Sequence, residues 1–501
     1  MNPLRHLLWL VAAVALGLSF PKFHLGVLAF FFLVPLLLAL DGKKPLAAFR
    51  IFFCFSAVSY LIILYWIPRV MVQYGGTSWP LGMVGLACLA AYLSAITGLA
   101  GMAIGRIAAA GIDYWAVLWI PALWIAKDLV MERLLGGFPW CLVGYSQYKN
   151  ILFVQLAEIG GIHLVSFSVI AVNVLVFKAL KTRDKKALWA LLILLAGIHG
   201  GGYMLLRNSD SRAAAVPGHR AGIIQPNSNH DQAFDFSRIR TELESLFRIS
   251  ARLKRNGAEF VVWPEFTVPI YPLQAPYYKE LFMAFSREHA PLLAGFTDYS
   301  GSDRVFNSAM LFQDGAVEKY DKVHLTPFGE YVLFRRWLFF VKKITDEIGD
   351  FTPGEKIRNL DLAGHPLSTP ICYEVIYPEL VRTMIARGGE VIVTLSNDSW
   401  FGASSAPYQH LAMAALRAIE NRRWLLRSTS NGISAVVDPA GRIIHQSPLH
   451  QPDHFIASFQ YLQQKTLFNR WGYLFPYLCL LLALAKLIWL LGGKISRRRH
   501  S

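Results

Sequence analysis

One cysteine, one glutamate and one lysine in the middle of this 501-residue chain have side chains that could combine in a single reaction. Cys372 is the only cysteine between residues 207 and 470, so it has no disulfide partner within that segment. A thiol attacks as its thiolate and needs a base, a positive neighbour, or both. Glu265 could act as the base, and Lys322 could supply the charge. The three residues therefore predict nucleophilic catalysis through Cys372.

The segment that must position these residues alternates between strand-like and helix-like stretches, which predicts an α/β domain. Cys372 lies at the end of one strand-like stretch, where α/β folds present functional side chains. We expect strands over residues 221–225, 260–263, 292–296, 307–312, 369–373, 391–396 and 432–437. We expect helices over residues 233–255, 275–289, 378–388 and 406–421.

The rest of the chain has the composition of a membrane protein, since 54% of all residues are hydrophobic and 16% are charged. Its apolar runs are mostly long enough to cross roughly 30 Å of hydrocarbon as helices. These runs cover residues 7–20, 25–40, 51–68, 81–105, 114–130, 161–178, 187–206 and 473–491. We therefore expect about eight spans, with a bundle at 1–206, an α/β domain at 207–470, and a last helix with a basic tail at 471–501.

Most of the net charge of +16 lies in the hydrophobic parts, which carry +14 of it. Residues 207–470 carry 29 Lys and Arg against 27 Asp and Glu, whereas the rest carries 20 against 6. In short loops between spans, basic residues report orientation and not nucleic-acid binding. With the N-terminus in the cytoplasm, the strongly basic short connections all fall on one side. The pattern predicts that both termini are cytoplasmic and that residues 207–470 lie outside, with no nucleic-acid partner.

Two other interpretations of Cys372 stay open at this point. A cysteine in an apolar strand commonly serves as a small buried side chain. Cys141 falls in a predicted outer loop, so an external disulfide between Cys141 and Cys372 is also possible.

Four short motifs contain or follow the three candidate residues. They are Trp-Pro-Glu at 263–265, Lys-Val-His-Leu-Thr-Pro-Phe-Gly-Glu at 322–330, Cys-Tyr-Glu at 372–374 and Ser-Asn-Asp-Ser-Trp-Phe-Gly at 396–402. The arrangement resembles the nitrilase superfamily of carbon–nitrogen hydrolases, whose Glu, Lys and Cys match Glu265, Lys322 and Cys372. With apolar runs on both sides, and Gly-Phe-Pro-Trp at 137–140, the whole chain is similar to the apolipoprotein N-acyltransferase family.

This resemblance implies an α-β-β-α sandwich outside the membrane, joined to the helical bundle. It implies that Cys372 takes an acyl chain from a phospholipid as a thioester. The acyl chain then passes to the α-amino group of the N-terminal diacylglyceryl-cysteine of an apolipoprotein. The family implies a bacterial inner membrane with the catalytic domain in the periplasm, and no cofactor. The histidines are not grouped at metal-ligand spacing, so we expect no metal site either.

Further residues gain expected roles from the same resemblance. Glu330 and Glu374 would orient Lys322 and balance its charge, although helix caps or surface carboxylates remain alternatives. Four side chains would shape the pocket, or else pack and form turns: Asn307, Tyr373, Asn397 and Trp400. The family has a tryptophan after the first strand of the domain, and this chain has none there. Phe234 is its nearest counterpart in the sequence.

The stretch at 331–344 is too short and too charged to span a membrane. Its apolar side chains stand among four basic residues, which suits a segment lying at a lipid surface. We expect a lid over Cys372, with a buried helix of the domain as the alternative. The lipid-facing residues of this lid are Phe334, Trp337, Leu338 and Phe339.

Two rival functions keep the same residues. A membrane-tethered amide hydrolase would retain Glu265, Lys322 and Cys372, but it would need neither eight spans nor an apolar lid. The other rival is a transporter or lipid-binding scaffold whose outer domain merely resembles an enzyme, but transport paths usually need ionisable residues and the spans carry few. Lys127 and Asp128 are the main ones here, and they fit an ion pair or a part of the acceptor's entry route.

Overall fold

Each apolar run of the sequence contains a helix in a computed structural model of the chain. The structure describes residues 7–40, 42–73, 75–109, 111–228, 236–301, 304–331 and 351–499. The chain divides into two units. The helical unit comprises Met1–Pro68, Pro80–Leu206 and Trp471–Ser501, and the sheet unit comprises Arg69–Trp79 and Arg207–Arg470.

The helices of the first half and of the C-terminus are apolar along most of their length. They are α1 (Leu8–Ser19), α2 (Leu33–Ala39), α3 (Pro45–Ile63), α4 (Ile67–Gln73), α5 (Trp79–Ala109), α6 (Ala116–Arg133), α7 (Ile151–Val154), α8 (Ala157–Thr182) and α9 (Lys185–Ala214), and at the other end α14 (Leu467–Trp471) and α15 (Leu474–Arg499). Four of them, in the described part of the chain, are long and apolar enough to cross a membrane: α3, α5, α8 and α9. The structure therefore supports a membrane protein and leaves the count of eight spans as a prediction.

Charged residues interrupt the apolar sequence of helix α6 near its C-terminal end. Lys127 and Asp128 are both buried and form an ion pair with each other. One turn further on, Glu132 pairs with His163 of α8 at 2.9 Å. Removing charges from water is costly unless they are paired, so these contacts explain how the charges are tolerated inside the helical unit.

The second apolar run is broken into a short 3-10 helix, Gly26–Phe30, and helix α2. Asn173 of α8 compensates for this break. Its side-chain nitrogen donates to the carbonyl of Ala29 at 2.8 Å, and its oxygen accepts from the backbone N–H of Leu33 at 2.9 Å. In an apolar environment every unpaired backbone group costs free energy, so a single buried amide stabilises the interrupted segment.

The sheet unit contains two six-stranded sheets. The strands are β1 (His219–Gln225), β2 (Phe260–Val262), β3 (Leu292–Ser300), β4 (Arg304–Gln313), β5 (Ala316–Asp321), β6 (Leu360–Leu362), β7 (His365–Ser368), β8 (Val391–Ser396), β9 (Leu425–Thr429), β10 (Ala435–Val437), β11 (Ile443–Gln446) and β12 (Asp453–Phe459). The first sheet has the order β12-β1-β2-β3-β4-β5, and the second has the order β11-β10-β9-β8-β7-β6. The central pairings, β1-β2-β3 and β7-β8-β9, are parallel, and the outer ones are antiparallel.

Helices cover these sheets as the alternating sequence pattern predicts. Helices α10 (Phe236–Arg255) and α11 (Pro276–Glu288) share a hydrophobic core with strands β2, β3 and β4. Helices α12 (Pro378–Ala386) and α13 (Ala406–Asn421) pack on the second sheet. The two sheets meet through β1 and β9, where the Ser428 hydroxyl donates to the carbonyl of Ile224 at 2.7 Å. The result is an α-β-β-α sandwich.

One predicted strand is wrong. Residues 369–373 do not form a strand, because β7 ends at Ser368 and a 3-10 helix, Cys372–Ile376, begins four residues later. The physical reason is that two neighbouring residues have no backbone N–H available for a strand ladder. Pro370 has no N–H to give to a ladder, and the N–H of Ile371 is taken by the Glu374 carboxylate at 2.8 Å. Only Ile371 still bridges to Leu395 of β8.

Candidate active site

Cys372 occupies an unusual backbone conformation at the first position of the 3-10 helix. Its φ angle is +50°, in the left-handed region that side chains other than glycine rarely adopt. The residue is 8% exposed, and its backbone carbonyl is 3.2 Å from Nε2 of His410. A strained residue of this kind persists only where the surrounding structure holds it, and such residues cluster at functional sites.

Glu265 lies just beyond β2 and is 2% exposed. Its Oε1 accepts a hydrogen bond from Nδ2 of Asn307 at 2.7 Å, and its Oε2 accepts one from the backbone N–H of Asn397 at 2.7 Å. The charge of the same carboxylate raises the pKa of the Cys372 thiol, so the two groups lie close enough to interact. Glu265 is therefore the candidate acceptor of the thiol proton.

Lys322 follows β5 and is 1% exposed. Its Nζ lies 2.8 Å from Oε2 of Glu330 and 3.5 Å from Oε1 of Glu265. Asn307 joins the two carboxylates, because its Nδ2 also donates to Oε1 of Glu330 at 2.6 Å. One ammonium group and one amide thus bridge a pair of buried carboxylates.

The electrostatics of the site favour a resting state with a protonated thiol. Burial and the Glu265 charge raise the pKa of Cys372 well above its usual range, although Lys322 opposes this shift. Burial would lower the pKa of Lys322, but the carboxylates of Glu330 and Glu265 outweigh it and raise that pKa. Burial also raises the pKa of Glu265, against the attraction of Lys322. A protonated thiol needs a base before it can attack, and Glu265 is the candidate that the sequence predicts.

Glu374 lies close enough to Lys322 for that charge to lower its pKa, and its hydrogen bonds come from a tyrosine hydroxyl and from backbone N–H groups. Its Oε1 accepts from the Tyr320 hydroxyl at 2.8 Å and from the N–H groups of Val323 and His324 at 2.7 and 3.0 Å. Its Oε2 accepts from the N–H of Ile371, so it ties the segment after Lys322 to the segment before the cysteine. Burial raises the pKa of Glu374 to about 7 in spite of these donors.

The remaining predicted pocket residues surround the site in different ways. Asn397 contributes its backbone N–H to Glu265, while its side-chain oxygen accepts from the Ser399 hydroxyl at 2.6 Å. Trp400 lies in the 3-10 helix Asp398–Phe401 and is half-buried. Tyr373 is buried beside Tyr377, with their ring centroids 5.5 Å apart.

The predictions for the lid and for one aromatic position fall outside the described residues. They concern Phe234, Phe334, Trp337, Leu338 and Phe339.

Sequence reasoning missed a buried polar cluster on the other side of the cysteine. Ser396 ends β8, and its hydroxyl lies 3.3 Å from Sγ of Cys372 and 2.8 Å from Oδ1 of Asp398. Nη2 of Arg427 donates to both Asp398 oxygens, at 3.0 and 2.8 Å, and Nδ1 of His410 lies 3.1 Å from Oδ1. Burial would raise the pKa of Asp398, but the charge of Arg427 outweighs it and lowers that pKa.

Part of this cluster was visible in the motif at 396–402, which contains Ser396 and Asp398. His410 comes from α13 and Arg427 from β9, and neither has a motif of its own around it. The disulfide alternative is wrong, because Cys141 and Cys372 are both free thiols. Within the described ranges, no three His, Cys, Asp or Glu side chains are grouped so that they could hold a metal ion.

A two-sheet sandwich that gathers a buried glutamate, lysine and cysteine defines the class of carbon–nitrogen hydrolase domains. The Carbon-nitrogen hydrolase family model matches residues 220–463, and the Apolipoprotein N-acyltransferase N-terminal domain model matches residues 12–175. An apolipoprotein N-acyltransferase of Geobacter metallireducens is 32% identical, with 95% of this chain and 93% of the relative covered. One from Azotobacter vinelandii is 33% identical, with 99% and 95% covered. The chain belongs to the apolipoprotein N-acyltransferase family, and it is an acyltransferase.

Among solved structures, an amidase from Nesterenkonia sp. is 21% identical and covers 49% of this chain and 91% of its own, with a TM-score of 0.39.

Proposed function

We propose that this protein transfers an acyl chain from a membrane phospholipid, through a thioester on Cys372, to the α-amino group of a diacylated apolipoprotein. The observation that carries the proposal is the set of charged groups around one buried thiol. The charge of the Glu265 carboxylate acts on the Cys372 thiol, and the Lys322 ammonium group lies 3.5 Å from that carboxylate. Membership of the N-acyltransferase family supplies the reaction class, and the apolar helices supply the membrane setting.

In the first transfer, Glu265 accepts the thiol proton while Sγ of Cys372 attacks the ester carbonyl of the phospholipid. The negative charge that develops on the carbonyl oxygen is stabilised by the Lys322 ammonium group. When the C–O bond breaks, Glu265 returns the proton to the departing alkoxide, which leaves as the lysophospholipid. The acyl chain remains as a thioester on Cys372.

In the second transfer, the amine of the apolipoprotein attacks the thioester and Glu265 accepts a proton from it. The C–S bond breaks, and Cys372 regains its thiol. We propose that Glu330 and Asn307 hold Lys322 and Glu265 in place during both transfers, because Glu330 pairs with Lys322 and Asn307 donates to both Glu265 and Glu330. Glu374 holds the backbone on which Lys322 and Cys372 stand.

The proposal includes a location. We propose that residues 1–206 and 471–501 cross a bacterial inner membrane about eight times and that residues 207–470 form a periplasmic catalytic domain. The charge distribution supports this orientation, since basic residues concentrate in the connections expected to face the cytoplasm. The residues at 331–344 would serve as a lipid-facing lid.

The test is the intact mass of the purified protein after incubation with a phospholipid of defined acyl chain and no acceptor. The expected result is a mass increase equal to that acyl group, absent from Cys372→Ala. Adding a diacylglyceryl-cysteinyl peptide should remove the adduct and yield N-acylated peptide. A matched control is Cys54→Ala, which removes a free thiol from helix α3 and should leave the adduct intact.

A folded protein that forms no adduct with several phospholipids would overturn the lipid-donor proposal. Release of ammonia from small amides by the same preparation would then assign a membrane-tethered amide hydrolase.

A further inference from the structure

The hydroxyl group of Ser396 contacts the reacting sulfur but has no role in the two transfers described above. It lies 3.3 Å from Sγ of Cys372, within the distance at which a hydroxyl donates to sulfur. It also lies 2.8 Å from Oδ1 of Asp398. A hydroxyl has one proton, so Ser396 can donate to only one of these two acceptors at a time.

Asp398 does not depend on that proton. Nη2 of Arg427 is 2.8 Å from one carboxylate oxygen and 3.0 Å from the other, and both side chains are fully buried. The carboxylate is therefore already compensated by a charged donor. The Ser396 proton can turn from Asp398 to the sulfur without leaving a buried charge uncompensated.

Both ring nitrogens of His410 contact neighbours other than the sulfur. Its Nε2 faces the carbonyl oxygen of Cys372 at 3.2 Å, and a carbonyl can only accept, so Nε2 carries a proton. Nδ1 lies 3.0 Å from Nη2 of Arg427 and 3.1 Å from Oδ1 of Asp398, so this nitrogen is also engaged away from the sulfur. Among these groups, the Ser396 hydroxyl alone has a proton that can turn towards the sulfur.

We propose that Ser396 is a further catalytic residue that donates a hydrogen bond to the Cys372 sulfur whenever that sulfur carries negative charge. The inference rests on the proposed acyl transfer. While the sulfur is a neutral thiol or thioester, the hydroxyl points to Asp398. When the sulfur becomes a thiolate, the hydroxyl rotates and donates to it.

This donor matters most in the second transfer, where the sulfur is the leaving group. The amine nitrogen forms a C–N bond, the C–S bond breaks, and its electron pair stays on the sulfur. Glu265 takes the proton from the nitrogen and afterwards returns it to the sulfur. Until that return, Lys322 and Ser396 stabilise the thiolate, one by charge and the other by a hydrogen bond.

The experiment compares Ser396→Ala with Thr394→Val. Thr394 is two residues earlier on β8, and its buried hydroxyl has no hydrogen-bond partner among the described residues. Both variants remove one buried hydroxyl from the same strand. A loss seen only in Ser396→Ala therefore reports the contact with sulfur, and a loss seen in both variants reports a general effect on the fold. The first measurement is the rate at which iodoacetamide alkylates Cys372, followed by the mass of its peptide. The second is transfer of the acyl chain to a diacylglyceryl-cysteinyl peptide.

We expect Ser396→Ala to slow alkylation about tenfold and acyl transfer about 10- to 100-fold, the range for one hydrogen bond to a charged group. Thr394→Val should match the unmodified protein in both assays. Equal rates for Ser396→Ala and the unmodified protein would overturn the proposal, as would an equal loss in both variants. The alkylation assay needs no lipid. Slower alkylation with no lipid adduct in any variant would therefore leave the role of Ser396 standing while the acyl-transfer function fails.

Discussion

At the scale of single residues, the arrangement of charges decides which atom holds the reactive proton. The surroundings of Cys372 raise its thiol pKa, which favours keeping the proton there, and Glu265 is the acceptor that we propose. This differs from cysteine enzymes in which a positive neighbour alone makes a standing thiolate. A thiol that is protonated until the substrate arrives is less exposed to alkylation and oxidation.

The pH dependence of the reaction should report this arrangement. Glu265 must be ionised to act as a base, and burial raises its pKa above the ordinary value of 4.5. Activity should therefore be low in acid and rise with pH through a midpoint above 4.5. The measurement is kcat/KM for acyl transfer between pH 4 and pH 8. A midpoint at or below 4.5 would contradict the assignment of Glu265 as a base in a buried site.

At the scale of secondary-structure elements, the position of Glu265 depends on the close approach of strand β3 to the segment that follows β2. Gly295 of β3 lies against the segment after β2. A Cβ atom at Gly295 would stand 2.6 Å from Cα of Glu265 and 2.9 Å from the carbonyl oxygen of Pro264. Both are backbone atoms that cannot rotate away. The absence of a side chain at Gly295 is thus a condition for the position of Glu265.

We expect Gly295→Ala to lower acyl transfer at least about tenfold, because relief of the overlap moves Glu265 and a displacement of about 1 Å can cost 10²-fold. The control is Gly218→Ala, since a Cβ at Gly218 meets no atom within 4 Å. Acyl transfer and thermal unfolding in detergent should be measured for both. An active Gly295→Ala variant would show that β3 does not fix the base.

Helices and strands could be predicted where the hydrophobic periodicity within the segment itself determines its structure. Periodicity gives β8 at 391–396 and α13 at 406–421, which the structure confirms with the same bounds. The strand predicted over 369–373 fails because a side chain three residues ahead, Glu374, takes the N–H of Ile371. His410 and Arg427 could not be linked to Cys372 from the sequence, since buried charges from separate elements carry no spacing pattern. The motifs did indicate that Glu265, Lys322 and Cys372 belong together.

At the scale of the whole molecule, the orientation of the chain in the membrane is open to direct measurement. Lys185, the first residue of α9, and Lys279, on α11, are both exposed. We predict that a membrane-impermeant maleimide labels Lys279→Cys on intact spheroplasts and labels Lys185→Cys only after lysis. The physical reason is the basic connection around Lys185, which the positive-inside rule places in the cytoplasm. The protein with its native cysteines alone gives the background, and the reverse labelling pattern would contradict the orientation.

The two ends of the sheet unit meet in one strand pair. Strand β1 at the start pairs antiparallel with β12 at the end, with His219 opposite Phe459, and β2 flanks β1 on its other side. Strand β1, the first of the sheet unit to be synthesised, therefore lacks this partner until β12, the last strand, has been made. Until residues 453–459 have been synthesised, β1 is an open sheet edge, and such edges pair with other unpaired strands. A chain truncated before residue 453 would keep this edge open, so we expect it to aggregate.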